Sequence, residues 1–367
     1  MKRQFAAQFA LPLFGLTLTG QEAEPNDSFQ PYVSAILEAW SLLDGGVDSG
    51  NRSMGLVDFG ADFKLGEQTK GHFNFLAFGG DRDVDAFTGD FGVFSNIITD
   101  SKAILFTAWL EHSFDGTHIR FGQLASDETF YVSETGALFI NANFGAIPTV
   151  SANVSAPIFS VGSAGIEWLQ ELNTGYWQTA VYAGDPGTAD ESDHGLNWKM
   201  GGDAGYFFIA ERGWNYQASE KQNGTFKIGA YYHSGSFDSF SENSDVEGNH
   251  AFYAIVDHSL SDLISVFSRI GVNPKSDRSA VTRYFDLGIN LNGLIESRPG
   301  DIFGIAYSRT DFSSEEATRP AEEVFEITYA SQLAATWSIQ PSIQRILNAR
   351  DASGDAIVAG IRLTTDF

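Results

Sequence analysis

The sequence predicts an all-β fold: a transmembrane antiparallel β-barrel of about sixteen strands, with inward-folded loops that form a constriction. Three observations support this prediction. Segments of about ten residues alternate between apolar and polar side chains. Beyond the amino-terminal segment, no stretch is apolar enough to be a membrane-spanning helix. The chain of 367 residues holds 31 Phe and 38 Gly but only 3 Met, which favours strands over helices.

The amino-terminal segment has the composition of an export signal. Lys2 and Arg3 are followed by an apolar run, which is the pattern of a secretory signal peptide. We expect residues 1–23 to be this signal and residues 24–367 to form one outer-membrane barrel domain. A buried terminal helix or an anchor is the alternative for the first segment. Only helices and closed barrels satisfy every backbone group in lipid, so the exported chain is either soluble outside the cytoplasm or a barrel.

The apolar–polar alternation is clearest in the second half of the chain. In the last strand Arg362 and Asp366 lie on one face, opposite an apolar face made of Ile357, Ala359, Ile361, Leu363, Thr365 and Phe367. The same alternation occurs in residues 104–111, 226–233, 325–329 and 337–344. We expect the apolar faces to contact lipid and the polar faces to line a wet lumen. At about 21 residues for each strand and its connection, the chain would form about sixteen strands, and fourteen or eighteen would fit almost as well.

Two further predictions concern the lipid face. In residues 104–111 we place Ile104, Phe106, Ala108 and Leu110 on this face. Aromatic residues near strand ends are expected to form the girdles that flank a membrane barrel, and the candidates are Trp40, Tyr232, Tyr253, Trp337 and Phe367. A soluble β-sandwich or β-helix is the alternative, because the strands of those folds also alternate.

The longest charge-free stretch runs for about thirty residues between Glu134 and Glu167. Pro148, Pro157 and several Asn and Gly interrupt this stretch, so it cannot be a spanning helix. It does not alternate like a strand either. Long ordered loops inside compact folds are uncommon unless they are functional. We therefore predict that residues 121–166 fold into the mouth of the barrel and narrow it.

Composition excludes several classes of function. Acidic residues outnumber basic ones by 47 to 22, giving a formal net charge of −25, and such a surface does not suit nucleic acid. Cysteine is absent, which excludes disulfides and thiolate metal sites. The 7 His show no metal-ligand spacing, and no nucleophile elbow or phosphate-binding loop occurs. We expect no enzyme activity, no metal and no cofactor.

Short runs along the chain also carry a family resemblance. They are GQL at 122–124, DETF at 127–130, SETGALFIN at 133–141, VYAGDPG at 181–187, GAYYH at 229–233, RPGDIFG at 298–304 and AIVAGIRL at 356–363. In content and order they resemble the carbohydrate-selective outer-membrane porins, the OprB family. The resemblance implies a sixteen-stranded barrel in the outer membrane of a Gram-negative bacterium, through which sugars diffuse. It also implies that Phe367 helps the barrel-assembly machinery recognise the last strand.

Charged residues inside the alternating segments are the candidate pore lining. They are Glu111, Arg120, Arg269, Glu326 and Arg362, joined on the long loop by Asp127, Glu128 and Glu134. Together they would form an electrostatic filter. Trp109 and Tyr131 would offer flat faces to sugar rings, while charged groups take the hydroxyls. The alternative is structural: inward charges pair across a lumen to satisfy one another.

The expected partners are sugars, small solutes and outer-membrane lipid. The charge of −25 leaves open a general porin that prefers cations. A structural or adhesive barrel without transport is the alternative from another class. The sequence determines neither the preferred sugar nor the oligomeric state.

Overall fold

The computed structural model describes residues 28–81, 85–99, 103–188, 191–219, 221–349 and 354–367. Across these residues sixteen antiparallel strands close into one barrel, in which each strand pairs with its neighbours in sequence and β1 pairs with β16. The predicted fold class is confirmed. The predicted signal peptide, residues 1–23, lies outside the described residues.

The strands of the first half are β1 (Phe29–Gly45), β2 (Asn51–Lys64), β3 (Thr69–Gly80), β4 (Ala103–Phe114), β5 (Thr117–Leu124), β6 (Ser163–Leu172), β7 (Gly175–Ala183) and β8 (Tyr206–Gln217). Those of the second half are β9 (Asn223–Phe237), β10 (Val246–Ser259), β11 (Ile264–Val272), β12 (Val281–Asn292), β13 (Ile302–Phe312), β14 (Glu322–Ala334), β15 (Trp337–Leu347) and β16 (Ala356–Asp366). The α-helices in the described ranges are α1 (Asp85–Thr88) and α2 (Pro148–Ser151). No helix in these ranges is both long and apolar enough to cross a membrane.

The connections differ in length between the two ends of the barrel. β4 and β5 are joined by residues 115–116, and β14 and β15 by residues 335–336; we call this end the short-turn rim. At the other end, the long-loop rim, residues 125–162 connect β5 to β6. Outer-membrane barrels place short turns in the periplasm and longer loops outside the cell.

The two faces of the strands follow the predicted alternation. On β14 Phe325 and Ile327 are exposed on the outer surface, while Glu326 and Thr328 are buried inside. On β16 Ile361 is exposed and Arg362 is buried. Successive residues of a strand point to opposite faces, so this alternation gives the barrel an apolar outer surface. Such a surface suits contact with hydrocarbon.

The predicted lipid face of residues 104–111 is wrong at its start. The pairing of β3 with β4 shifts register where Asn74 faces Thr107 and Phe75 faces Leu105. This shift makes Phe106 an extra residue, as in a β-bulge, which locally breaks the alternation. Ile104 and Phe106 therefore lie in an apolar cluster inside the barrel.

Two of the predicted girdle residues are also misplaced. Trp40 lies inside, with its ring centroid 5.2 Å from that of Phe94. Tyr253 lies inside as well, with its ring 5.9 Å from that of Tyr131. Both rings fill space between the barrel wall and the connections packed within it. The remaining candidates are exposed, as predicted: Tyr232, Trp337 and Phe367.

Candidate functional site

The predicted loop of residues 121–166 folds into the barrel over residues 125–162, which we call the inward loop. The ends of the predicted range are wrong, because residues 121–124 belong to β5 and residues 163–166 to β6. The segment contains three short 3-10 turns, Ser126–Glu128, Gly136–Leu138 and Ala142–Phe144, followed by α2. Its residues form hydrogen bonds with side chains of strands on both halves of the barrel wall. Irregular backbone at membrane depth is tolerated where protein surrounds it or where it lines a water-filled cavity.

Apolar packing explains the half-apolar composition of the inward loop. Tyr131, Ile147 and Val150 belong to one buried cluster with inward-facing residues of the wall, including Tyr231 and Tyr253. A second cluster joins Leu138, Phe139 and Phe144 to wall residues Phe267, Ala306 and Ala330. Burying one such large side chain contributes about 1.5–3 kcal/mol relative to leaving it in water. The wall thus carries apolar residues on its inner face where the loop packs.

Carboxylates of the wall hold the backbone of the inward loop. Glu326 on β14 accepts the N–H groups of Ile140 and Asn141, each at 2.9 Å. On β10, Asp257 accepts the N–H of Thr135 at 3.0 Å. Farther round the wall, Glu211 on β8 accepts the N–H of Tyr131 at 3.0 Å. These bonds satisfy donors that an irregular loop would otherwise leave unpaired.

Cations of the wall hold the carbonyl groups of the same loop. Arg269 on β11 donates to the carbonyl oxygens of Gly145 and Asn143 at 2.5 and 2.9 Å. Lys227 on β9 donates to the carbonyl oxygen of Val132 at 2.8 Å. The loop is therefore fixed by complementary charge from several strands.

Two of the predicted filter residues, Glu326 and Arg269, thus bond the inward loop to the barrel wall. Both side chains are buried, and the hydrogen bonds described above occupy them. This arrangement agrees with the structural alternative, in which inward charges satisfy groups within the lumen. Contact of these two residues with a passing solute stays a prediction.

Three more of the predicted residues come together on the wall near the short-turn rim. Arg120 pairs with Glu111, with Nη2 and Oε2 3.0 Å apart, and its Nη1 lies 3.6 Å from Oε2 of Glu167. The Arg120 guanidinium lies 4.0 Å from the centre of the Trp109 ring. His72 stacks on Trp109 at 5.3 Å between ring centres. The Trp109 ring is therefore already in contact with the Arg120 guanidinium and the His72 imidazole.

At the start of the inward loop Glu128 is buried and Asp127 is half-buried. Asp127 accepts the N–H of Phe159 at 2.9 Å. Burial raises the pKa of Asp127 to about 7. Burial also raises the pKa of Glu128 to about 8, although the nearby Arg120 opposes that shift. Both carboxyl groups hold a proton more readily than exposed ones do.

The other predicted residues differ in exposure. Tyr131 is only 1% exposed, and the distance between its hydroxyl oxygen and that of Ser126 is 2.5 Å. Glu134 is exposed. Arg362 is buried and donates from Nε to Glu38 at 2.6 Å.

A cavity of about 190 Å³ lies beside the inward loop, which is room for several waters. From the loop its lining includes Val132, Ala142 and Phe159, and from the connection between β3 and β4 it includes Asn96 and Ile98. We call residues 91–99 of that connection the second inward segment. Ala142 donates its N–H to the carbonyl oxygen of Val93 at 3.0 Å, so the two segments are joined.

The second inward segment was missed by the sequence predictions. A signal for it does exist. Residues 91–99 carry no charge and include Phe91, Val93, Phe94 and Ile98. A shorter run of the same character as the inward loop therefore occurs one connection earlier.

Comparison with known proteins agrees with this architecture. The family model described as carbohydrate-selective porin, OprB family, matches residues 67–367. The chain belongs to the OprB family. Family and barrel together identify an outer-membrane channel for passive diffusion of carbohydrates. No curated protein sequence matches the chain.

Solved structures show the same fold. The high-pH structure of Pseudomonas putida OprB matches with a TM-score of 0.82 at 15% identity, covering 93% of this chain and 94% of that one. Its low-pH structure gives 0.60 at 14% identity, covering 93% of each chain. Salmonella typhi OmpF in complex with daunomycin gives 0.62 at 8% identity, covering 92% of this chain and 97% of the other.

Proposed function

We propose that sugars cross this porin along the cavity between the inward loop and the second inward segment, and that these two segments set its selectivity. The observation that carries this proposal is the anchoring of the loop to the wall. Glu326, Asp257 and Arg269 each bond its backbone directly. A loop held in this way keeps the width and lining of the passage constant.

Transport in this proposal needs no chemistry and no energy source. A solute diffuses down its gradient and makes weak contacts at several positions, which favour entry without trapping. Glu134 is the exposed predicted filter residue on the loop, and we assign it to contact with solute. Asp127, Glu128, Tyr131 and Trp109 would act by shaping the passage.

Liposome swelling tests this function directly. Reconstituted protein should admit monosaccharides faster than amino acids or ions of matched size. Planar-bilayer recordings should show discrete conductance steps and a current block that grows with sugar concentration. Absence of any conductance would favour a structural or adhesive barrel instead.

A general cation-preferring porin is the second candidate, because the chain has a net charge of −25. The field of exposed surface charges is largely screened beyond about 8 Å at physiological salt. The net charge therefore does not by itself determine which ions the passage prefers. Reversal potentials in a salt gradient separate the candidates. A strong cation preference with no block by sugar would support the general porin.

We also propose that residues 1–23 direct export and that Phe367 is read by the barrel-assembly machinery. The side chain of Phe367 is 73% exposed, while its backbone pairs with Val33 through hydrogen bonds of 2.8 and 3.3 Å. Replacing Phe367 by Ala should keep those backbone bonds and lower the amount of assembled barrel in the outer membrane. Unchanged amounts in cells would contradict this role.

A further inference from the structure

We propose that Phe159 is the aromatic surface on which sugar rings stack as they pass, in place of Tyr131 and Trp109. This assignment rests on the proposed function and names the residue that makes the channel prefer ring-shaped solutes. Phe159 lies in the inward loop and lines the cavity. It was not among the residues predicted from the sequence.

Contacts on several sides hold Phe159 in place. Its N–H donates to Asp127 at 2.9 Å. Its ring makes an edge-to-face contact with Phe78 of β3, at 5.7 Å between ring centres, and with Phe106 of β4, at 5.9 Å. Such arrangements are favourable for aromatic pairs. The ring is half-buried, so part of it remains accessible from the cavity.

The other aromatic rings at the cavity are covered. Tyr131, Phe139 and Phe144 also line it, but each is buried. Trp109 is not among the lining residues of this cavity, and it carries the Arg120 guanidinium over its ring. Among the described lining residues, Phe159 is therefore the aromatic side chain that keeps an accessible surface.

The surroundings of Phe159 match the two sides of a sugar ring. Apolar side chains at the cavity include Val132, Ile98 and Ile158, and polar ones include Asn96 and Ser151. A pyranose has an apolar face of C–H groups and a rim of hydroxyls, so it suits a mixed lining of this kind.

The two charged side chains of the described cavity lining, Arg269 and Asp127, are engaged with other groups of the protein. Arg269 lines the cavity but is buried and paired with Asp286. Asp127 is engaged with the Phe159 N–H. The cavity lining therefore offers an ion little to replace its hydration shell, whereas a neutral ring can bind through its apolar face.

Replacement of Phe159 tests the assignment. Phe159→Leu removes the ring and keeps an apolar side chain, whereas Phe159→Tyr keeps the ring. We expect glucose to block current about 2- to 10-fold more weakly in F159L than in the wild type, and about equally well in F159Y. Swelling with a linear polyol of matched size should not change. Phe325→Leu, on the lipid face, is the control variant.

Each result has a defined meaning. Equal block of F159L and the wild type would overturn the role of Phe159 and leave the proposed function intact. Failure of any sugar to block the wild type would overturn both. If F159L does not assemble, Phe159→Met, which fills space flexibly, is measured in its place and judged by the same criterion.

Discussion

Arg269 on β11 and Asp286 on β12 form an ion pair with 2.6 Å between Nη2 and Oδ2, and their side chains are 1% and 0% exposed. The same guanidinium also donates to the carbonyl oxygens of Gly145 and Asn143. One buried pair therefore joins two adjacent strands to the inward loop. We expect its contribution to stability to come from the added contacts with the loop, because a buried ion pair by itself is weak evidence of stability.

Replacing Arg269 by Met should destabilise the barrel markedly. The substitution leaves Asp286 buried without its cation and frees two loop carbonyls, so we expect the free energy of unfolding to fall by about 3–5 kcal/mol. Urea unfolding followed by intrinsic fluorescence measures this change. Arg309→Met is the matched control, because Arg309 is 44% exposed in its pairs with Asp311 and Glu323, and it should cost about 1 kcal/mol or less.

Replacing Glu326 by Gln should loosen the inward loop at Ile140 and Asn141. The amide that replaces one carboxylate oxygen cannot accept an N–H, so one buried donor loses its partner at a cost of about 1–3 kcal/mol. We expect more current flicker in single-channel recordings and faster protease cleavage within the loop. Glu323→Gln is the control, because it changes a partly exposed carboxylate of the same strand that pairs with Arg309 and not with the loop. If both variants flickered equally, the anchoring role of Glu326 would be refuted.

The position of Asp127 predicts a pH dependence of the inward loop. Its pKa rises by burial from 3.8 to about 7, so the folded state binds this proton more tightly than the unfolded state does. The stabilising contribution is complete below about pH 4 and is lost as the pH rises through about 7. Protease cleavage of the loop should therefore be several-fold faster at pH 8 than at pH 5.

Asp127→Asn is the variant that isolates this effect. Asn keeps an oxygen that can accept the Phe159 N–H, and it does not titrate. Its cleavage rate should differ less between the two pH values than that of the wild type. The same pH response in both proteins would exclude Asp127 as its source.

The lipid face makes a depth-dependent prediction. Ile361 is exposed on the outer surface and lies midway along β16. A Lys there should destabilise the barrel by about 2–4 kcal/mol if it lies near the bilayer midplane. Leu333, exposed on β14 close to the short-turn rim, should tolerate Lys at about 0–1 kcal/mol. Folding into vesicles at graded urea concentrations compares the two.

The sequence predicted the fold because alternation is a local property. The order Phe325, Glu326, Ile327 is enough to assign alternate residues to the outer and the inner face of the barrel. The bulge at Phe106 could not be predicted in this way, because it depends on the register with β3. Trp40 was placed outside for a similar reason: an aromatic residue in a strand suits either a lipid girdle or an interior packed by other segments.

The site could be predicted only in part. The inward position of the loop followed from its composition, and Glu326 and Arg269 were recognised as inward charges. Their partners were not, because Glu326 and Asn141 are 185 residues apart in sequence. No pattern in the neighbouring sequence distinguishes Phe159, because its exposure depends on contacts with Phe78 and Phe106 of two different strands.

Closure of the barrel joins the two extremes of the described chain. Val33 on β1 bonds to Phe367, which directly follows β16. Until β16 is in place, β1 therefore keeps one backbone edge unpaired. Unpaired edges promote association with other chains, and contacts of such long sequence separation form slowly. Shielding of this edge before closure should therefore raise the yield of assembled channels.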